Sequence, residues 1–189
     1  ADDILAVAEA AGAGRFHLVG ESMGGTVALH LASRRPDQLL SVTVCSTSHK
    51  GGAIQRANSW RDFVAQRGMA EWSRDMMARR FAPGAVSPAI HDWFHGVQAA
   101  TRPDVLLACT DMLLRADLST AVERIAVPTL ILAPDSSPFV PLDVPVDLRN
   151  RVPLAELQVF PGVRHGLACS HGAECAAVLL AFLASDGIA

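Results

Sequence analysis

Half of the 189 residues are hydrophobic, enough for one domain, or one with a modest insertion, that buries about 70% of its unfolded surface. Charged residues make up 19% of the chain, the net charge is -3 and Lys50 is the only lysine, so no basic stripe suits nucleic acid, and no apolar run reaches the ~18 residues of a membrane span. The four cysteines, Cys45, Cys109, Cys169 and Cys175, form no disulfide framework and read as free thiols of a reducing, cytoplasmic compartment.

In chain order, Ile4 to Ala11 has helical periodicity, and Gly12 and Gly14 then turn the chain into a strand over Arg15 to Val19. Thr26 to Ser33 reads as a buried helix. Arg34-Arg35-Pro36-Asp37 breaks it, and Leu39 to Ser46, rich in β-branched residues, reads as a second parallel strand. From about Gly51 to Arg115 the chain changes character, with all three tryptophans and helix candidates at Ile54 to Gln66, Ala70 to Arg80, Pro88 to Ala100 and Pro103 to Arg115. Strand and helix alternation then resumes through Leu118 to Ile125, Thr129 to Ala133, Val144 to Arg149, Leu157 to Phe160 and a closing helix over Ala173 to Ala184. Such alternation implies an α/β fold, a mostly parallel sheet flanked by helices. The expected division is a core of residues 1–50 and 116–189 with a helical lid at 51–115.

The most informative stretch is Gly20-Glu21-Ser22-Met23-Gly24, placed between a strand and a helix. A serine held exposed on so sharp a turn needs small neighbours, and this pattern is a nucleophile elbow. Serine alone is a poor nucleophile; a histidine must take its proton and a carboxylate must hold that histidine's tautomer. Two later strands are followed by loops with suitable residues, Pro134-Asp135-Ser136-Ser137-Pro138 and Pro161-Gly162-Val163-Arg164-His165-Gly166. In an open parallel sheet these loops emerge on one edge, so Ser22, Asp135 and His165 are the expected catalytic set.

Val19-Gly20-Glu21-Ser22-Met23-Gly24-Gly25, Val127-Pro128-Thr129-Leu130-Ile131-Leu132 and Pro161-Gly162-Val163-Arg164-His165-Gly166 together resemble the alpha/beta-hydrolase family over nearly the whole chain. Within the insertion, Trp60-Arg61 and the run from Leu107 through Asp111 to Leu118 resemble the lid of 3-oxoadipate enol-lactonase-like esterases. The resemblance implies Ser22 as nucleophile, His165 as general base and the Met23 backbone N–H as one oxyanion donor. Two departures stand out. The family's acid usually directly precedes the proline, where this chain has Ser137, and the usual glycine is Pro134; Asp135 sits two residues early, and Asp111 or Asp143 are the other candidates. The family's first strands and its other oxyanion donor also have no counterpart before Ala1, so a segment upstream, or a companion chain, is expected to pair with the Arg15 to Val19 strand.

Other motifs carry plainer readings. His165-x3-Cys169-x-His171-x3-Cys175 has spacings compatible with zinc, but it lacks a second ligand pair and His165 has the better role. His17 and His30 read as hydrogen-bonded core residues, and His49, His91 and His95 as surface or lid residues. Trp60, Phe63, Trp72, Met76, Met77, Trp93 and Phe94 divide between packing and an apolar substrate pocket. Arg79 and Arg80 read first as a solvated face, with recognition of a substrate carboxylate as the alternative. The expectation is a cofactor-independent serine hydrolase of carboxylic esters or lactones; the alternative is a non-catalytic relative that binds a ligand or partner.

Overall fold

The structure, a computed structural model, describes residues 1–185. Four strands, β1 (Phe16–Glu21), β2 (Leu39–Cys45), β3 (Thr129–Pro134) and β4 (Ala155–Phe160), form one sheet in the order β1-β2-β3-β4. All three pairings are parallel, with Gly20 beside Val44, Val44 beside Ile131 and Ile131 beside Leu157. Parallel neighbours require crossovers. Helix α1 (Asp2–Ala10) precedes the sheet, α2 (Met23–Arg34) links β1 to β2, and α6 (Asp143–Arg151) links β3 to β4. The short α7 (Leu167–Ser170) and α8 (Gly172–Leu183) follow β4.

The strand period of two sends alternate side chains to opposite faces. Val42, Val44 and Ile131 pack under α2 and α6 with Leu29, Ala32, Ile125 and Leu148, while Leu130 and Leu132 meet Phe160, Leu167 and Phe182 on the other face. Each side chain such as Leu29 contributes roughly 1.5–3 kcal/mol by leaving water. The central strands β2 and β3 are therefore buried at every position but Leu40, and β1, with one neighbour, alternates between exposed and covered residues.

Between β2 and β3 stand three longer helices, α3 (Trp60–Arg80), α4 (Pro88–Ala100) and α5 (Pro103–Arg115). Proline opens both α4 and α5, where a missing N–H costs nothing, and Ser87 caps α4 by accepting from Ile90 N–H at 3.3 Å. The two helices expected on either side of Gly68 are the two halves of α3, and the helical backbone breaks between them at that residue, which has φ 76° and ψ 172°. Residues 54–59, expected as the start of a helix, instead make a tight turn at Ala57–Ser59, with Arg56 in the left-handed region at φ 69°. Residues 118–125 form no regular strand. Leu118 N–H donates to His49 carbonyl and Val122–Arg124 closes a single tight turn that buries Val122 and Ile125 three residues apart. Among the described residues no helix is long and apolar enough to cross a membrane.

Candidate active site

The turn out of β1 is the strained point of the chain. Ser22 has φ 53° and ψ -119°, a conformation that non-glycine residues rarely adopt. Its N–H donates to Cys45 carbonyl at 2.8 Å, and its carbonyl accepts from Gly25 and Thr26 N–H and from the Thr47 hydroxyl. The elbow is thus tied to β2 on one side and to the first turn of α2 on the other. A side chain at Gly20 would stand 2.5 Å from Gly24 carbonyl oxygen, and one at Gly25 would overlap Thr47. Gly24, the second glycine of the motif, has open space around it. The closest approach therefore involves Gly20 and Gly25, because it is Gly25 that brings α2 against the loop after β2.

His165 lies in the loop after β4, only 4% exposed. Its Nε2 is 2.9 Å from Ser22 Oγ, and its ring stands edge-on to Phe139 with centroids 5.0 Å apart. Burial, followed by the nearby positive charge of Arg80, pushes its pKa down to about 3. The imidazole is therefore neutral across the ordinary pH range.

Among the described residues no carboxylate reaches the other ring nitrogen. Nδ1 is 3.1 Å from Ser137 Oγ. Asp135, expected there, is exposed and accepts instead from Gly162 N–H at 2.7 Å and from the Ser136 hydroxyl at 2.8 Å. The physical reason is position. Asp135 directly follows β3 and is held beside β4 by its own N–H to Phe160 carbonyl, so its side chain meets the Gly162 turn and staples the two loops. Asp111 is occupied by Arg61 at 2.7 Å on the helical insertion, and Asp143 opens α6. Ser137 is thus the residue in the acid's place.

The hydrogen bonds at Ser137 determine its proton. Its oxygen accepts from Phe139 N–H at 3.3 Å and Val140 N–H at 3.1 Å. A hydroxyl has two acceptor sites and one donor, so two amides on the Ser137 oxygen favour donation of its hydroxyl to Nδ1. That arrangement corresponds to the tautomer with its proton on Nε2, towards Ser22 Oγ; the Nδ1–H tautomer reverses both contacts.

Ser22, Met23, Thr26, Ser46, Trp60, Met76, Arg80, Phe139 and His165 line a narrow cleft of about 40 Å³. Met23, first residue of α2, has an N–H with no acceptor within the helix. The helical insertion supplies Trp60, Met76 and Arg80; Trp72 packs at 5.5 Å against Trp60 and is itself core.

This geometry coincides with a match to the alpha/beta hydrolase family over residues 1–178. The chain belongs to the alpha/beta hydrolase family. It is 28% identical over 199 residues to the protein of Caulobacter sp. (strain K31) that bears the name carbamate hydrolase RutD, covering 98% of this chain and 71% of that protein. It is 28% identical over 121 residues to 3-oxoadipate enol-lactonase 2 of Acinetobacter baylyi, covering 63% of this chain and 45% of that enzyme. The enol-lactonase structure from Burkholderia xenovorans LB400 superposes with a TM-score of 0.88 at 19% identity, over 97% of this chain and 71% of that one. Within this alpha/beta hydrolase, the sheet edge brings Ser22 and His165 together and leaves Asp135, Asp111 and Asp143 apart from them.

Several other residues fall differently from expectation. His17 bonds Ser41 Oγ at 2.8 Å but is exposed, because β1 is an edge strand. His49, expected at the surface or in the lid, is fully buried beside the sheet; its Nε2 pairs at 3.1 Å with Asp147, which also holds Lys50 and Arg151. Of the histidine and cysteine run, Cys175 packs into the core under β3, Cys169 is exposed and His171 bonds Ser170, while His165 faces Ser22. Arg79 and Arg80 part company. Arg79 makes two bonds of 2.8 Å to Asp75 on the outer face, and Arg80 turns into the cleft.

Proposed function

We propose that this chain carries the active site of a serine hydrolase of carboxylic esters or lactones, working through an acyl-enzyme. The observation that carries the reading is the 2.9 Å contact between His165 Nε2 and Ser22 Oγ on a strained elbow. Ser22 Oγ attacks the carbonyl carbon while His165 Nε2 takes its proton; the Met23 N–H stabilises the resulting oxyanion; the imidazolium returns the proton to the leaving oxygen; and water then releases the acyl group by the same route. Side chains, the Met23 backbone amide and water are the groups named in that sequence.

Proton acceptance requires the Nδ1–H tautomer, in which Ser137 receives rather than donates. Reaching it means releasing an amide bond to Ser137 and turning its hydroxyl, a cost that a carboxylate would not incur. A relay slower than a carboxylate-supported one is the expected consequence. Residues 51–115 act as a lid that closes the cleft against water, and the free thiols suit a cytoplasmic setting. The relatives' names extend the acyl group to carbamates as a further class to assay.

The Ser137 contact also favours a second reading, a non-catalytic alpha/beta hydrolase relative that binds a ligand or partner in the cleft. A fluorophosphonate probe separates the two. Stoichiometric labelling that disappears in Ser22→Ala supports the hydrolase; absence of labelling, with ligand binding retained, supports the binder.

A further inference from the structure

The cleft beside Ser22 contains a cation without an ion-pair partner among the described residues. Among the described residues no side chain or backbone oxygen accepts a hydrogen bond from the Arg80 guanidinium, no carboxylate approaches within 4.0 Å, and its Nε is buried without a partner. Its recorded side-chain contact is with a ring. The guanidinium carbon lies 4.9 Å from the Phe94 centroid. Glu21 and Cys169 are close enough to feel its charge, yet neither pairs with it. Arg80 is half-buried; partial withdrawal of a cation from water without a partner is costly, and Arg79, one residue earlier, avoids that cost through Asp75.

The position is firmly built. Arg80 carbonyl accepts from Gly166 N–H at 3.0 Å, and Arg164 donates to the carbonyls of Ala78 and Phe81 at 2.9 and 3.0 Å. The Phe81 ring fills the space a side chain at Gly166 would need. The end of α3 is therefore fastened to the residues on both sides of His165, so the guanidinium and the Ser22–His165 pair keep one spatial relationship. A guanidinium offers paired donors in the geometry of a carboxylate.

We propose that Arg80 is the anion-recognition residue of this site and that the substrate is a small ester or lactone bearing a carboxylate. The proposal rests on the hydrolase reading above. The bound carboxylate supplies the partner Arg80 lacks and offsets the positive charge that disfavours protonation of His165, so the correct substrate also improves the base. Discrimination then appears in kcat as well as KM.

The test compares monomethyl succinate with dimethyl succinate. Wild-type protein should favour the half-ester by about 10- to 100-fold in kcat/KM, the range of a charge-assisted pair. Arg80→Met should bring that ratio close to one, and Arg80→Lys should retain part of it. Equal use of both esters by the wild type, or preference for the diester, overturns the proposal without any variant being needed. If neither ester is hydrolysed and the fluorophosphonate does not label, the hydrolase reading has failed separately. Calorimetric titration of the two esters into wild-type protein then decides the anion site: half-ester binding at least about tenfold tighter than diester binding upholds it, and equal or undetectable binding of both refutes it.

Discussion

His165 Nδ1 meets the hydroxyl of Ser137 at 3.1 Å, and that hydroxyl is already the acceptor for two backbone amides. An aspartate at the same position has acceptor sites for both amides and for Nδ1–H together. It would hold the proton-accepting tautomer and stabilise the imidazolium. Loss of such a carboxylate elsewhere costs about 10⁴ in rate, so Ser137→Asp is expected to raise kcat/KM on an activated ester by on the order of 10² or more. Assay of wild type and variant at matched active-site titre checks this. An unchanged or lower rate would mean that Ser137 is no obstacle to the relay.

The pH response follows from the same burial. The folded pKa of His165, about 3, lies below its ordinary 6.5, so the unfolded chain takes up the proton first and stability is lost as pH falls from 6.5 towards 3. Lys50 and then Arg151 hold Asp147 far below the usual carboxylate range, and its contribution is likewise lost on acidification, below about pH 4. Melting temperature should therefore fall across this window, and less steeply in His165→Asn. Activity should show no acid limb near pH 6.5 in the wild type, whereas Ser137→Asp should introduce one at higher pH than 3. A wild-type acid limb at the ordinary histidine value would contradict the geometry.

The two glycines after Met23 are expected to differ. Gly25→Ala forces a methyl into Thr47, while Gly24→Ala enters open space within α2. Overpacking costs about 1–3 kcal/mol, or roughly 2–10 °C in melting temperature for a chain of this size. Gly24→Ala should be neutral or slightly stabilising. Scanning calorimetry of both variants distinguishes them, and equal losses would show the elbow packing to be misread.

Asp135 joins the loop after β3 to the Gly162 turn. Asp135→Ala should cost about 1–3 kcal/mol in stability through the lost charge-assisted bond. Its effect on kcat should stay within about tenfold, far from the 10⁴ of a tautomer-holding carboxylate. A loss of that larger size would restore Asp135 to the relay.

Among the described residues β1 is paired on one edge only, and Val19 on it is 56% exposed. Unpaired apolar edges invite another strand. We propose that a further segment, from the same precursor or from a companion chain, pairs with β1 and supplies a second oxyanion donor, a contribution of about 3–4 kcal/mol in the transition state. Intact-mass and gel-filtration measurements on active material test this; full activity from a monomer of these 189 residues alone would rule it out.

The strand and helix alternation, and the elbow with its later histidine loop, were legible in the sequence because each depends on local rules. β-branched runs favour strands, glycines permit close approach, and serine between them needs a strained turn. The family resemblance rests on those same segments. Tertiary structure decided what depends on distances across the chain. Asp135 and Ser137 differ by two places in one loop, yet the hydrogen bonds of the neighbouring Gly162 turn and of Phe139 and Val140 determine which of them faces His165. Arg79 and Arg80 are adjacent and chemically identical, and only the direction of α3 over the sheet edge sends one to Asp75 in solvent and the other into the cleft beside Ser22.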